Sequence, residues 1–249
     1  MEGFFRYLYA DFFKTRRLYI RLLHVLLPVC MAAAFLLYYS FAPWDPYGKV
    51  EAYFQILGIA YPLLISLFCV MLAEQEFEAG TFQGMLMAVG RRASFFGKLA
   101  LLLLFGLFFL WSSGILFGAG YRYLLEQSIV PASFYWYAPL ILWGSGVCLY
   151  IWHLFLAFRW SKGLSLGIGV TESLLAALML TGMGDRIWMY LPFAWQARLV
   201  SQFQAVYCRQ ESFGGDGMLA VSCCILYTLL AFAAFGIWSG RWEGNHSGD

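Results

Sequence analysis

One acidic residue, Glu172, lies near the middle of a long apolar segment, in the sequence Thr171-Glu172-Ser173. An ionised carboxylate at the centre of a bilayer costs at least about 2.5 kcal/mol, and such a residue usually has a partner or faces a water-filled cavity. His153, in another apolar segment, is one candidate partner, and a polar group of another subunit is the alternative. Glu172 is therefore the best single candidate for a functional residue inside the membrane. A protonated glutamate that is hydrogen-bonded to a neighbouring helix fits the sequence equally well.

The chain lacks the recognisable motifs of enzymes and of nucleotide-binding proteins. It has no HExxH, no GxSxG and no phosphate-binding loop. Gly97-Lys98 resembles the end of such a loop, but Gly90 lies too far upstream and Leu99 replaces the required Ser or Thr. The six cysteines show no metal-ligand spacing. We therefore expect no metal, no cofactor and no catalytic residue on this chain, so that any ATP must be bound by another chain.

The composition excludes an ordinary soluble domain. Hydrophobic residues make up 62% of the chain and charged residues only 12%, and the mean hydropathy is +0.70. Soluble domains are about half apolar and about a quarter charged. The net charge is only +2, and the basic residues lie at the ends of apolar segments rather than along one face, so we expect no nucleic-acid partner.

Six apolar segments are long enough to cross a bilayer, which requires about 20 residues. The sequence therefore predicts an all-α polytopic membrane protein with a single transmembrane domain over residues 1–249. The six predicted spans are Leu22 to Phe41, Tyr53 to Ala73, Leu99 to Tyr121, Tyr135 to Phe158, Gly163 to Gly182 and Met218 to Ser239. Most of the 16 lysine and arginine residues fall in the segments that share a side with the N-terminus. The positive-inside rule then predicts that both termini lie inside.

Residues 1–21 predict an amphipathic helix. At about 100° per residue, the basic side chains fall within an arc of roughly 80° and the apolar ones lie opposite. The basic set is Arg6, Lys14, Arg17 and Arg21, and the apolar set is Phe4, Phe5, Leu8, Phe12 and Tyr19. This pattern suits a helix in the plane of the cytoplasmic headgroups. A cytoplasmic extension of the first span is the alternative.

Residues 74–98 form a polar, glycine-containing segment between the second and third spans. Glu74, Glu76 and Glu78 precede Gly80-Thr81, where glycine permits a left-handed stop and threonine can cap a new helix. A short helix from about Phe82 to Val89 is predicted, with an apolar edge. Gly90 would end it, Arg91 and Arg92 would complement its negative end, and Ser94 would cap the next long helix. The residues of the apolar edge are Phe82, Met85, Leu86 and Val89. A plain cytoplasmic hairpin is the alternative.

Residues 183–217 predict a long extracellular loop that contains its own helix after Pro192. One face of that helix would hold Phe193, Ala197, Val200, Gln204 and Tyr207. Loops of this length usually have a function. The loop could cover the outer mouth of a pathway, or it could fill space between two subunits.

Two pairs of glycines are spaced one helical turn apart within predicted spans. They are Gly114 with Gly118 and Gly163 with Gly167. Such pairs allow helices to approach each other closely, which fits a chain that packs against a second membrane subunit.

These features together resemble a known family, the type 2 export permeases of ATP-binding cassette (ABC) transporters. The resemblance comes from six spans, two inner termini, the N-terminal amphipathic helix and the turn Glu76-Phe77-Glu78-Ala79-Gly80-Thr81-Phe82-Gln83. That turn, followed by Arg91-Arg92 and Lys98, is more similar still to the permeases of lantibiotic-immunity transporters. Their E-type and G-type subunits both have this length, and the subunit type stays open.

The resemblance implies that the segment between spans two and three holds a coupling helix that docks on an ATPase. In this chain that helix would be Thr81 to Val89. The implied coupling residues are Glu76, Glu78, Gly80, Thr81, Phe82, Gln83, Met85, Leu86, Arg91 and Arg92.

The resemblance also implies the partners and the task. Two copies of a cytoplasmic ABC ATPase would bind ATP and Mg²⁺, and a second related permease would complete the pair in the bacterial cytoplasmic membrane. The cargo would be a lantibiotic peptide, which is expelled from the membrane to protect the cell. Trp188 and Trp195 in the outer loop would meet the peptide. The alternatives are another cargo such as a different peptide or a lipid, a membrane-embedded enzyme that uses Glu172 and His153, and a channel or structural subunit that works without nucleotide.

Overall fold

The computed structural model describes residues 2–15, 19–87, 90–127 and 129–244, and within them it contains helices and no strands. Within these described residues, nine α-helices follow one another, and the short 3-10 helices Trp188–Tyr190 and Pro192–Ala194 lie between the seventh and the eighth. The α-helices are α1 (Glu2–Lys14), α2 (Tyr19–Phe41), α3 (Pro46–Glu78), α4 (Gln83–Leu86), α5 (Arg91–Tyr123), α6 (Phe134–Arg159), α7 (Lys162–Leu178), α8 (Trp195–Arg209) and α9 (Gly215–Arg241).

Five of the described helices are long and apolar enough to cross a membrane. They are α2, α3, α5, α6 and α9, and each contains one of the predicted spans. The α3 helix begins earlier than predicted because Asp45 accepts a hydrogen bond from the Gly48 backbone N–H at 3.0 Å, and Pro46 occupies the first turn. Apolar length therefore located these helices well, while capping residues set their ends.

The expected fifth span, Gly163 to Gly182, is shorter than predicted. The α7 helix ends at Leu178 after 17 residues. At about 1.5 Å per residue it extends about 26 Å, which is less than the roughly 30 Å of a hydrocarbon core. The Arg198 side chain donates hydrogen bonds to the backbone oxygens of Met179 at 2.7 Å and Thr181 at 3.1 Å, so it binds carbonyl groups at the end of this helix.

The α8 helix extends along the bundle beyond the point where α7 ends. Its first turn lies against the middle of α3 and α6, where Gln196 donates to the Ser145 backbone oxygen at 2.9 Å. Its later part reaches the beginning of α3, where Gln204 donates to the Tyr47 backbone oxygen at 3.2 Å. Residues 188–206, in the middle of the predicted extracellular loop, are therefore mostly buried or partly buried against the bundle, whereas most residues on either side of them are exposed. The predicted helix is present, and Ala197, Val200 and Gln204 of its predicted face are buried. Its position outside the cell stays a prediction.

The α3 helix is the centre of the packing. Tyr53 stacks on Phe117 of α5, with ring centroids 3.8 Å apart, and the Tyr61 hydroxyl lies 3.2 Å from that of Tyr150 in α6. A β-carbon at Gly58 would lie 2.7 Å from the Ala197 backbone nitrogen, so glycine is what allows α8 to approach so closely.

The glycine pair Gly114 and Gly118 lies where α5 contacts α6. A β-carbon at Gly114 would meet Pro139 Cγ at 2.8 Å, and one at Gly118 would overlap the ring of Tyr135. The close helix contact that this pair predicts is therefore present. The other pair, Gly163 and Gly167, behaves differently, because a β-carbon added at either position would have no atom of the described chain within 4 Å. It therefore makes no such contact inside the described part of the protein.

The predicted inner segments meet at one end of the bundle. Lys162, the first residue of α7, lies 3.0 Å from the Glu74 carboxylate near the end of α3. Arg91, at the start of α5, donates to the backbone oxygen of Trp242 after α9 at 3.0 Å. The α1 helix joins the same end through contacts that are described below. The grouping agrees with two termini on one side, whereas the choice of the cytoplasmic side stays a prediction.

The N-terminal helix is present as α1, but its faces differ from those predicted. Lys14 remains 43% exposed, but its ammonium group turns toward the bundle and lies 2.8 Å from the Glu76 carboxylate of α3. The Asp11 side chain, which the sequence pattern did not single out, faces the bundle and is buried. Arg17 and the side chain of Phe4 lie outside the described residues. The exposed aromatic residues of α1 are Phe5, Tyr9, Phe12 and Phe13, which suits a helix that lies against lipid.

Candidate functional site

The chain reverses sharply after α3 through three consecutive residues with positive φ. They are Gly80 at 136°, Thr81 at 49° and Phe82 at 66°. Backbone hydrogen bonds close the turn, with the Thr81 N–H donating to the Phe77 oxygen at 2.6 Å and the Phe82 N–H donating to the Glu76 oxygen at 3.3 Å. Glycine is suited to the first position, while the left-handed conformation costs the other two about 1–2 kcal/mol each.

The ring of Phe82 holds this turn in place. It is buried, and its centroid lies 5.6 Å from Phe77, 5.6 Å from Phe158 in α6 and 5.5 Å from Trp242. Aromatic contacts of this kind contribute about 0.5–1.5 kcal/mol each beyond the burial of apolar area. These contacts offset the backbone strain and attach the turn to three parts of the chain.

The short helix after the turn is smaller than predicted. The expected helix from Phe82, or Thr81, to Val89 is only the single turn α4, Gln83–Leu86. Its N-cap position is Phe82, and no side chain caps it, so Thr81 does not act as the expected cap. Val89 lies outside the described residues. Because backbone groups of the tight turn already satisfy the helix start, a side-chain cap is not needed there.

The apolar edge of this segment faces inward rather than toward a partner. Phe82 and Met85 are 7% and 3% exposed, and Leu86 is partly buried. The outer surface of the turn instead holds Glu78, Gly80, Thr81 and Gln83 of the predicted coupling set, together with Ala79 and Gly84. Helical spacing finds an apolar edge but does not say which surface will cover it.

Two exposed apolar side chains flank this outer surface, and the sequence analysis did not single them out. Met87 is 82% exposed and Phe77 is 50% exposed. Large apolar side chains in such positions are typical of protein contact sites when they form one patch. The feature of the sequence that could have indicated these two residues is their position directly beside a glycine-containing polar turn. We call residues 77–87 the tip segment.

Arg91 and Arg92 have partners other than those expected. They are the first two residues of α5, so they do not belong to the end of α4. Gly90 is the N-cap of α5, and Ser94 therefore does not cap this helix. Arg91 binds the Trp242 carbonyl, as described above, and the guanidinium of Arg92 lies beside Gly240 near the end of α9. Cations are favourable near the negative end of a helix. Arg91 and Arg92 therefore stabilise the negative end of α9.

A group of charges, buried except for Lys14, connects α1, α3 and α5 beside the tip segment. Lys98 is 1% exposed, and its ammonium group lies 2.9 Å from Asp11 Oδ1 and 2.8 Å from Glu76 Oε1. Lys14 lies 2.8 Å from the same Glu76 oxygen and 3.8 Å from Asp11. Burial raises the pKa of Asp11 above its ordinary value of 3.8, although Lys98 acts in the opposite direction. We call Asp11, Lys14, Glu76 and Lys98 the charge cluster.

The charge cluster gives Glu76 a structural position inside the protein. Glu76 is 4% exposed, so it is not available on the outer surface of the tip segment. Lys98 likewise does not mark a water boundary, as its place at the start of an apolar segment suggested. Removal of one partner from such a group leaves an uncompensated buried charge, so each member depends on the others.

The intramembrane residues Glu172 and His153 are paired in the structure. Glu172 Oε2 lies 2.7 Å from His153 Nε2, and His153 Nδ1 lies 3.2 Å from the Ser165 hydroxyl. The imidazole is fully buried, whereas the Glu172 side chain is 12% exposed and lines a cavity. Next to it, the Ser173 hydroxyl accepts a hydrogen bond from the Leu63 backbone N–H at 3.1 Å. Of the candidate partners for Glu172, the structure therefore selects His153. A functional role for the pair stays a prediction.

Trp188 and Trp195 are not presented on the surface. They are 2% and 0% exposed, and Trp195 Nε1 donates to the Met189 backbone oxygen at 2.9 Å. The exposed apolar side chains of the same segment are Met183, Ile187 and Tyr190. In this conformation, a peptide would meet these three side chains rather than the two tryptophans.

The described residues contain no group of three or more His, Cys, Asp or Glu side chains that could hold a metal ion. The Glu172–His153 pair could exchange a proton, but the nearest hydroxyl, Ser165, is itself buried against the imidazole. The arrangement can therefore bind charge and position helices, and it offers no assembled nucleophile and base within the described chain.

Comparison with known protein families gives one match. A family model described as ABC-2 family transporter protein matches residues 7–177, which is more than half of the chain. No curated protein and no solved structure matches it. The matched range includes the charge cluster, the tip segment and the Glu172–His153 pair.

Proposed function

Because this chain belongs to the ABC-2 family of transporter proteins, we propose that it is the permease subunit of an ATP-driven exporter and that its tip segment docks on a partner ATPase. The family and the apolar helices identify a multi-pass integral membrane protein, consistent with the bacterial cytoplasmic membrane. A transport subunit of this family is generally not catalytic itself, so ATP and Mg²⁺ would be bound by the partner.

The exposed surface of the tip segment is the observation that carries this proposal. It combines two apolar side chains, Met87 and Phe77, with a glycine-containing turn whose backbone is open to a partner. The base of the turn is held rigidly by the Phe82 ring. A contact site that is exposed at its outer surface and fixed at its base can receive a force and pass it on.

The buried contacts of the tip segment supply a route for that force. Phe82 contacts α6 and the segment after α9, while the charge cluster joins the end of α3 to α1 and α5. Closure of two ATPase subunits would displace the tip segment and shift these helices as packed units. ATP binding would then favour one of two permease states that differ in their affinity for cargo.

A second permease and a lantibiotic cargo complete the proposal, and both rest on the sequence resemblance of residues 74–98. Gly163 and Gly167 on α7 have open space around them, which agrees with a close contact to a second permease. A lantibiotic is a cationic amphipathic peptide, and its removal from the membrane would protect the cell. An exporter of the same fold for another peptide or a lipid is the alternative.

Co-purification of the ATPase tests the docking site. The variant Met87→Asp places a charge on the most exposed apolar side chain of the tip segment. The control Met183→Asp changes a methionine that is 71% exposed in the segment after α7. Phe82→Asp would be a poor choice because it buries a charge and disrupts the turn.

We expect an ATPase to accompany the intact chain and the Met183→Asp variant from native membranes, and to be lost from Met87→Asp at equal permease levels. ATP hydrolysis in the purified material identifies the partner as active. Recovery of the same ATPase with Met87→Asp would exclude the tip segment as the docking site. Absence of any nucleotide-binding chain from all three samples would remove the exporter proposal and favour a channel or structural subunit.

Peptide protection tests the cargo. Cells that carry the complete transporter should survive a lantibiotic that kills cells with the Met87→Asp permease. Unchanged survival between the two strains would contradict a lantibiotic cargo and leave another peptide or a lipid as the alternative. Tyr190→Ala is the matched test of peptide contact, since Tyr190 is 48% exposed where Trp188 is buried.

A further inference from the structure

An apolar cavity of about 460 Å³ lies between α6, α7 and α9 and is closed on one side by the 3-10 helix Pro192–Ala194. Small-molecule sites have volumes of roughly 300–1,000 Å³. Its lining includes several aromatic side chains. The aromatic residues are Trp152, Phe155, Phe193, Phe235 and Trp238.

Glu172 is the only acidic or basic side chain among the described residues that line this cavity. Its Oε2 atom is hydrogen-bonded to His153, whereas its Oε1 atom accepts no hydrogen bond from the described residues. A neutral imidazole that donates from Nε2 to Glu172 and accepts from the Ser165 hydroxyl at Nδ1 is one arrangement that these two distances allow. In that arrangement the cavity contains one negative charge with a free acceptor oxygen.

A single carboxylate in an apolar site is costly unless a cation compensates it. Lys and Arg side chains are absent from the lining that the described residues form, so they do not supply that cation there. Aromatic walls favour an organic cation over a hydrated metal ion, because ring faces attract organic ammonium groups and the walls offer no further oxygen ligands.

From this geometry we propose that the cavity binds a hydrophobic primary amine, with its ammonium group on Glu172 and its apolar body against the aromatic walls. The occupant could be an amine of a peptide or small molecule, or the amine of a membrane lipid. As a cargo site, the cavity rests on the proposed export function, whereas binding itself does not require the ATPase.

A fluorescent amine tests the site in the full-length chain, held in nanodiscs of phosphatidylcholine and phosphatidylglycerol. Dansylcadaverine carries a primary amine on an apolar fluorophore, and N-pentyl dansylamide is the matched neutral probe. Their fluorescence rises and shifts to shorter wavelength when they enter an apolar site. We expect the intact chain to bind the amine at least about tenfold more tightly than the neutral probe, because hydrogen bonds to charged groups are the strong ones.

Three variants separate the carboxylate from the cavity. Glu172→Gln keeps the shape and a hydrogen bond to His153, and it should remove the preference for the amine while the neutral probe binds as before. Ala231→Phe fills the cavity, whose lining includes Ala231, and should weaken both probes. Glu211→Gln changes an exposed carboxylate outside the cavity and should behave like the intact chain.

Equal binding of both probes by the intact chain, or an unchanged preference in Glu172→Gln, would overturn the proposal and leave an apolar site for lipid chains.

Addition of phosphatidylethanolamine distinguishes the sources of the amine. Competition with dansylcadaverine in the intact chain would support the lipid amine, and absence of competition would support a peptide or small-molecule amine. If the probes fail to bind while Met87→Asp loses the ATPase, only the cavity proposal is lost. If the amine probe binds as expected while Met87→Asp keeps the ATPase, only the export function is lost.

Discussion

Lys98 is almost completely buried, yet its ammonium group has carboxylate partners on two different helices. Asp11 of α1 and Glu76 of α3 both lie within 3 Å of it. Both carboxylates are almost completely buried, so loss of the lysine would leave them poorly solvated. Together with the Lys14–Glu76 ion pair, Lys98 therefore holds α1 beside the tip segment.

Lys98→Met should strongly destabilise the protein, because it leaves two buried carboxylates with only Lys14 as a basic partner within the charge cluster. Removal of one member of a buried ion pair typically costs about 3–5 kcal/mol. Lys162→Met is the matched control, since Lys162 pairs with Glu74 on the surface and such pairs contribute about 0–1 kcal/mol. Thermal unfolding of both variants in the same detergent measures the difference. Similar melting temperatures would show that the charge cluster does not hold α1.

Asp11→Asn should be tolerated better than Lys98→Met, with an effect that depends on pH. Since burial raises the pKa of Asp11, the folded protein binds this proton more tightly than the unfolded chain does. The stability that this proton contributes to the folded protein is complete below pH 3.8, the ordinary pKa of the group. It is lost as the pH rises through the raised pKa of Asp11 in the folded protein.

Asparagine stays neutral at every pH and avoids that loss. The melting temperature of Asp11→Asn relative to the intact protein should therefore shift in favour of the variant between about pH 4 and about pH 7. A shift in the opposite direction would show that Lys98 outweighs burial at this carboxyl group.

At the scale of helices, the contact of α5 with α6 depends on the absence of side chains. Gly114 lies against Pro139, and Gly118 lies against the face of the Tyr135 ring. Within a membrane, close packing of this kind is a main source of helix association, because lipid chains remove the hydrophobic driving force.

Gly118→Ala should weaken this contact by about 1–3 kcal/mol, the typical cost of overpacking. The new methyl group would overlap a ring that is itself held in the core. Gly144→Ala in α6 is the control, since its new methyl group would have no atom of the described chain within 4 Å. Thermal unfolding compares the two variants. An equal effect of both would mean that Tyr135 moves aside without cost.

At the scale of the whole molecule, five of the described helices are long enough to span a membrane by themselves. The α7 helix runs from the end of the bundle that holds the tip segment to its middle, and α8 continues toward the opposite end. A sixth crossing made of α7 and α8 stays a prediction. The first and the last described helices contact the same end of the bundle, which agrees with an even number of crossings.

Cysteine labelling tests the orientation of the molecule. In a variant whose six cysteines are replaced, Thr81→Cys in the tip segment should react with a membrane-impermeant maleimide only in inside-out vesicles. Gln210→Cys, after α8, should react in intact cells, and both positions are exposed. Labelling of Thr81→Cys in intact cells would reverse the orientation and exclude cytoplasmic docking.

Apolar length and composition were sufficient to predict the class of protein, the five long helices and the segment between α3 and α5. These features follow from local properties, since a run of about 20 apolar residues has few stable alternatives to a spanning helix. The pairing of Glu172 with His153 was also accessible, because a charged residue inside a membrane needs a partner and few polar residues are available there.

The tertiary structure decided which side chains face inward and where α7, the predicted fifth span, ends. Phe82 and Met85 are covered by the chain's own helices, while Met87 and Phe77 remain exposed. Asp11 became important only because α1 brings it to Lys98, 87 positions away. Sequence periodicity records the apolar side of a helix, but the choice of a covering surface and the pairing of buried charges depend on contacts between distant segments.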